Sequence, residues 1–349
     1  MADNFTASTT DTQETVSTPK EQWQQLGVHT YIRIAIVGVL LYWLFQKEVG
    51  GIVYQWLTDP GWSHGLIIPL FSLYFLNLPK PEILNTRTKP NYLGLLLLVG
   101  VILFYIFNTI SPAGYGYFRQ ISAVGALLAV VLFLCGWPLL KYTWFPVVYL
   151  IFAVPLPDYV MKPITIPMRI YAAGASSAIL NLFPNLDATA NGVIIDIVYK
   201  GTPLNPPLDV AEACSGMRLL MTFVALGAAM AYLHYWSTRR RLESLASKMQ
   251  IDWRILWVAE RRILWPTELV LLASTVPIAF LCNILRVIIT GFIYVLGDPQ
   301  YAQGIYHDLL GMTMLLPAFG LYGGIAWFMS NLFVESDETK VSDVIVRRK

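Results

Sequence analysis

Charge is scarce in this chain. Asp, Glu, Lys and Arg make up 13% of its 349 residues, about half the share usual in soluble domains. The formal net charge is only +2, and no basic patch interleaved with aromatics occurs outside one loop, so no nucleic-acid partner is expected. Cysteine is scarcer still: Cys135, Cys214 and Cys282 are too few for a disulfide framework. A metal site is not expected either, because Cys214 and His307 lack a further pair of ligands at suitable spacing, and nothing calls for a cofactor. Residues 1–28 lack an apolar run and are rich in Thr, Gln, Ser and acids. They read as a disordered tail rather than a cleavable signal peptide.

Long apolar runs, by contrast, are abundant. Hydrophobic residues reach 56% and mean hydropathy is +0.56, with most runs near the roughly 20 residues that cross a bilayer. Spanning helices are expected at about 30–46, 65–79, 92–110, 120–137, 142–157, 214–236, 266–295 and 307–332. The chain therefore reads as an all-α polytopic membrane protein of about eight transmembrane helices. One membrane domain covers 29–334, between the tail 1–28 and a C-terminal tail 335–349.

Basic residues set the expected orientation. The 237–265 loop carries Arg239, Arg240, Arg241, Lys248, Arg254, Arg261 and Arg262 against three acids, which places it in the cytoplasm. Eight crossings then put both termini inside, and Lys80, Arg87, Lys89, Arg347, Arg348 and Lys349 fall on the same side. The largest outer segment is 158–213. Within it, 161–183 is apolar but broken by Pro163, Pro167 and Gly174. It reads as a helix lying at the interface, with a re-entrant segment or a true span as alternatives. A small β-hairpin follows, from Gly192–Tyr199 through a Lys200-Gly201 turn to Leu204–Val210.

The hairpin delivers the chain to Ala211-Glu212-Ala213-Cys214-Ser215-Gly216-Met217-Arg218. A thiol here stands at a helix N-terminus and at the water–membrane boundary, where partial positive charge favours the thiolate. Taken alone, Cys214 fits inert packing. On the expected topology, however, Arg286 in the outer part of the seventh run and His307 at the start of the eighth come to the same surface. A thiol beside an imidazole forms an ion pair, and a guanidinium stabilises an oxyanion. An arginine within an apolar run is costly and marks a functional position, the bland alternatives being snorkelling or a pair with Asp298.

Several neighbours accompany the three. Arg218 lies one turn deeper on the Cys214 face and competes with Arg286 as the guanidinium. Asn283 shares a face with Arg286. Glu212 and Asp308 flank the site, and Ser215 adjoins the thiol. In the outer loop Asp59-Pro60-Gly61-Trp62-Ser63-His64-Gly65, His64 either belongs to a turn with interfacial Trp anchors or binds substrate or handles a proton.

These residues resemble the exosortase/archaeosortase family of multi-pass membrane cysteine transpeptidases. The likeness rests on Ala211-Glu212-Ala213-Cys214-Ser215-Gly216, Asn283 with Arg286, and His307 with Gly311. It extends to Asp59 through His64-Gly65 and Pro69, and to Phe145-Pro146 with Phe152-Ala153-Val154-Pro155-Leu156-Pro157, all in the family's order. The resemblance implies Cys214 as nucleophile, Arg286 at the oxyanion and His307 as general acid/base. It further implies a bacterial inner-membrane enzyme with its site on the periplasmic face. Its substrates would be secreted proteins whose C-terminal sorting tail carries a motif of the PEP type, a transmembrane helix and a basic cluster, with transfer to an unidentified acceptor. The alternatives are an endopeptidase that releases its product to water, and a non-catalytic transporter or scaffold. The basic loop and polar N-terminal tail depart from the common pattern, away from the site.

Overall fold

The computed structural model describes residues 23–59, 61–111, 116–210, 216–249, 265–297 and 313–332. Ten helices of six residues or more and a small sheet make up the described part. They are α1 (Gly27–Thr58), α2 (Ile68–Asn77), α3 (Lys80–Asn85), α4 (Tyr92–Ile110), α5 (Gly116–Tyr149), α6 (Asp158–Leu180), α7 (Gly216–Met249), α8 (Trp265–Ala273), α9 (Thr275–Leu296) and α10 (Leu315–Leu332). Four helical stretches are long and apolar enough to cross a membrane: Gly27–Thr58, Tyr92–Ile110, Gly116–Ala153 and Glu268–Leu296. Ser63–Asn77 and Leu315–Met329 are shorter apolar helices. The chain is thus a mostly helical, polytopic membrane protein.

The helices form a bundle with two distinct ends. Asn77 accepts from the Trp23 indole at 2.9 Å, and Arg240 donates to the Leu78 carbonyl. These bonds gather the start of α1, the end of α2 and the charged third of α7 at one end. Lys80, Arg87, Lys89 and Arg239–Arg241 all lie on or next to these segments. The other end carries the sheet.

Two expected spans, 120–137 and 142–157, are the limbs of one kinked helix, α5. The kink is Gly136, at φ 75°, a conformation that a Cβ penalises. Space excludes a side chain as well, since a Cβ there would lie 1.9 Å from the Lys89 carbonyl oxygen. The first limb pairs with α4, tied at its base by Asn91 N–H to Phe133 O at 3.1 Å. The second limb runs antiparallel to α2: Ser72 Oγ donates to Pro146 O at 2.6 Å, and the Phe75 ring meets Phe145 and Tyr149 edge-on. The seventh run is also divided, with α8 and α9 meeting at Ser274.

The expected hairpin is part of a larger sheet. Strands β1 (Leu186–Asn191) and β2 (Ile194–Tyr199) pair antiparallel, and the short β3 (Thr202–Pro203) and β4 (Leu208–Asp209) both pair with β2. The Lys200-Gly201 turn has φ 52° and 80°, as a two-residue hairpin loop with the twist of its strands requires. Alternation sends Leu186, Ala188, Ile195 and Ile197 to the buried face. There they pack with Ala173 and Leu180 of α6 and with Val287 and Tyr294 of α9.

Helix α6 links the two halves of the bundle. The chain enters it from Ala153, whose carbonyl is bonded to Trp56 near the end of α1. It leaves from Leu180 into the sheet. Ser176 Oγ donates to Ile284 O at 3.4 Å, so α6 leans on the middle of α9.

Candidate active site

Helix α9 carries the most deeply buried charge among the described residues. Arg286 is 1% exposed and Asn283, one turn earlier, 5%. Cys282, Val287 and Thr290 share their buried face. The Thr290 hydroxyl donates to the Arg286 carbonyl at 2.9 Å. The Asn283 Oδ1 is buried and has no hydrogen-bond partner among the described residues.

The register of α7 against α8 and α9 sets the level of Arg286. His234 and Glu268 lie 3.5 Å apart. Seven residues on, Gly227 faces Thr275 so closely that a Cβ would meet its Oγ1 at 2.2 Å. Seven further, Leu220 and Cys282 share one apolar cluster with Phe223, Ile278 and Tyr322. One more turn at this pitch brings Arg286 level with Gly216, the first residue of α7. The approach at Gly227 holds the two helices together just below that level.

Asp59 and His64 stand in a second corner, at the top of α1 and α2. Asp59 Oδ1 accepts from Gly61 N–H at 2.8 Å, a local turn that sets the loop. The His64 ring lies beside Trp62 at 5.6 Å and is hydrogen-bonded by the backbone of Gly61 and Phe152, while burial pulls its pKa below the ordinary 6.5. Its Nε2 is shielded from solvent and has no hydrogen-bond partner among the described residues. Gly65 is required by packing: a Cβ would sit 2.1 Å from Trp56 Nε1. The 59–65 loop and the Phe152-Ala153 stretch, far apart in sequence, therefore meet in one corner, while Phe145 and Pro146 pack lower on α2 against Phe75 and Ser72. The second limb of α5 is fastened to α7 through Tyr149 O–H to Ala225 O at 3.3 Å and the stacking of Phe145 on Tyr232 at 4.0 Å.

Of the expected site residues, Asn283 and Arg286 are together on α9, and Asp59 and His64 are together across α7 from them. Arg218 falls in the first turn of α7. Glu212, Cys214, Ser215, His307 and Asp308 lie outside the described residues. Two features escaped the sequence reading. Glu48, 9% exposed within α1, accepts from Tyr105 of α4 at 3.0 Å and lies 3.9 Å from Arg119 of α5. Arg169 lies on the buried stripe of α6; its spacing from Thr165 and Ala173, four residues either way, was the available signal. Among the described residues no group of three or more His, Cys, Asp or Glu is placed to hold a metal.

No curated protein and no solved structure matches the chain. A family model, described as transmembrane exosortase, matches residues 56–253 and 255–324. That span takes in both corners, the sheet, and α7 through most of α10. The chain belongs to the transmembrane exosortase family.

Proposed function

We propose that this protein is a cysteine transpeptidase of eight membrane crossings, with both termini and the 237–265 loop in the cytoplasm and the sheet end on the outer, periplasmic face of a bacterial inner membrane. The basic residues gathered at the end of the bundle away from the sheet support that orientation. Its substrates are secreted proteins with a C-terminal sorting tail, a motif of the PEP type followed by an apolar helix and basic residues. The cleavage motif of such a tail emerges from the bilayer at the sheet end.

The observation that carries this reading is the burial of Arg286 level with the first residue of α7, two residues after Cys214 in sequence. The Cys214 thiolate attacks the scissile carbonyl, forming a C–S bond and a tetrahedral oxyanion held by Arg286. Collapse breaks the C–N bond, and the leaving amine takes its proton from the His307 imidazolium. A thioester and a neutral imidazole remain. His307 then accepts a proton from the acceptor nucleophile, which attacks the thioester and returns Cys214 to the thiolate.

Co-expression with a tail-bearing reporter tests the scheme. Wild type is expected to shorten the reporter, and Cys214→Ala to leave it full length. Continued processing by Cys214→Ala would exclude the thiol mechanism. The mass of the new C-terminus separates transfer from hydrolysis: an added group indicates an acceptor, a free carboxylate indicates water.

A further inference from the structure

Asn283 is directed at a seam between two parts of the core. One residue before it, Cys282 belongs to the cluster of Leu220 and Phe223 on α7 and Tyr322 on α10. Four residues after it, Val287 belongs to the cluster of Leu180 on α6 and Val210 behind the sheet. At 3.6 residues per turn, the direction of Asn283 falls between those of Cys282 and Val287. The ends of the 211–215 segment, which contains Cys214, are anchored on the two sides of this seam. Val210 donates its N–H to Val193 O at 2.8 Å within the sheet cluster, and Gly216 opens α7 one turn before Leu220.

The amide oxygen of Asn283 is unmet. The residue is 5% exposed, and its Oδ1 is shielded from solvent with no hydrogen-bond partner among the described residues. Other buried polar side chains in the long helices settle on the carbonyl one turn back. Asn108 donates to Phe104 O at 2.9 Å, Ser122 to Phe118 O at 2.7 Å and Thr165 to Met161 O at 3.0 Å. That solution serves donors only. An oxygen in mid-helix finds no N–H on its own helix, because each one beyond the first turn is already bonded. On α6, Ser176 gives its hydroxyl to Ile284 O at 3.4 Å. A buried acceptor without a donor is costly, and the donor that Asn283 lacks is one that every peptide carries, the backbone N–H.

We propose that Asn283 is a substrate-binding residue whose Oδ1 accepts a backbone N–H of the sorting tail on the C-terminal side of the scissile bond. This rests on the transpeptidase reading above. Three residues along α9 raise Arg286 by about 4.5 Å toward the sheet end. An extended peptide shows one carbonyl and one N–H in turn along each edge, within a two-residue repeat of about 6.7 Å. A single strand edge therefore meets Arg286 with a carbonyl and Asn283 with the N–H that follows. Asn283 lies deeper, on the side of the tail's apolar helix. It sets how far the tail is drawn in, and so which bond comes to Cys214, without reading any side chain.

The test uses the full chain with Cys214→Ala in phosphatidylcholine nanodiscs. The probes are synthetic tails of a PEP-type motif, apolar helix and arginines. One is all-amide; in each of the others a single backbone N–H in or just after the motif is replaced by an ester oxygen. One ester is expected to weaken binding about three- to tenfold, the worth of one hydrogen bond. In Asn283→Leu that loss is expected to vanish, because the all-amide tail already binds as weakly. Asn283→Asp, which keeps an acceptor oxygen, is expected to remain ester-sensitive. Equal binding of all tails to the Asn283 protein overturns the proposal without any variant having to fold, and so does failure of the all-amide tail to bind. An ester loss that persists in Asn283→Leu overturns it too, as does a sensitive position N-terminal to the bond that the intact enzyme cuts. Cleavage with Cys214 intact is scored separately. Its absence beside an Asn283-dependent ester loss sinks the transpeptidase reading and leaves the N–H site standing, whereas cleavage with no ester-sensitive position sinks the site alone.

Discussion

Trp56 donates its indole N–H to the carbonyl of Ala153 across 2.8 Å, joining the end of the first long helix to a segment 97 residues away. The same indole packs on Gly65, so one side chain fixes both the loop that carries His64 and the extended chain that enters α6. The bond is worth about 0.5–1.5 kcal/mol by itself. Gly65→Ala is expected to cost more, about 1–3 kcal/mol, because the added methyl expels the ring and orphans a buried carbonyl. Thermal unfolding of the detergent-solubilised protein should rank Gly65→Ala below Trp56→Phe, and both below wild type.

His64 predicts a dependence on pH. Burial lowers its folded pKa, whereas in the unfolded chain it protonates near its ordinary 6.5. Below that value the unfolded state binds more protons, so stability is fully present above about 6.5 and is lost as pH falls toward the lowered folded value. Melting temperatures of wild type should drop between pH 7.5 and 5.5 more steeply than those of His64→Gln. Parallel profiles would show that the buried imidazole is not the titrating group.

Removal of Arg286 should strike the chemical step. If Arg286 holds the oxyanion as proposed, Arg286→Gln is expected to slow single-turnover tail cleavage about 10²–10³-fold. Arg286→Lys keeps the charge without the fork and should fall between the two. A cleavage rate unchanged in Arg286→Gln would shift the oxyanion role to Arg218.

The Glu48 cluster predicts coupling across three helices. Glu48→Ala strands Tyr105 and Arg119 together and is expected to destabilise by about 1.5–3 kcal/mol, the worth of hydrogen bonds to a charged group. Combining Glu48→Gln with Tyr105→Phe should give a coupling energy of at least about 0.5 kcal/mol in a double-mutant cycle. Additive losses would mean that the Tyr105 bond contributes nothing in the folded protein.

Helix α4 could be read directly from the residues: its expected bounds, 92–110, are those observed, since Asn91 caps an uninterrupted apolar run and accepts from Leu93 N–H at 2.9 Å. The kink between the limbs of α5 was also foreseeable, because Gly136 and Pro138 interrupt the pattern. Strand β1 was missed although Asn191-Gly192 is a strong hairpin signal. Ala188 and Ala190 make a weak apolar face, which becomes a core only when α6 and α9 cover it. Glu48 escaped for a related reason. A single charge in an apolar helix carries no trace of its partners, which are supplied by helices far away in sequence. Pairs such as Asn283 and Arg286 could be recognised because one turn of one helix holds both.

One small contact has a wider consequence. The Asn181 side chain both accepts from the N–H of Ala188, at 2.6 Å, and donates to its carbonyl, at 2.9 Å. It thus occupies the outer rim of β1 at the position where another chain would begin to zip on. Proteins confined to a bilayer collide far more often than dissolved ones, and each copy here presents the same short sheet at the same height. A single amide therefore serves as a guard against mutual polymerisation, and it also denies an extended peptide that route of entry. A peptide pairing with that rim at Ala188 would first have to displace the Asn181 amide.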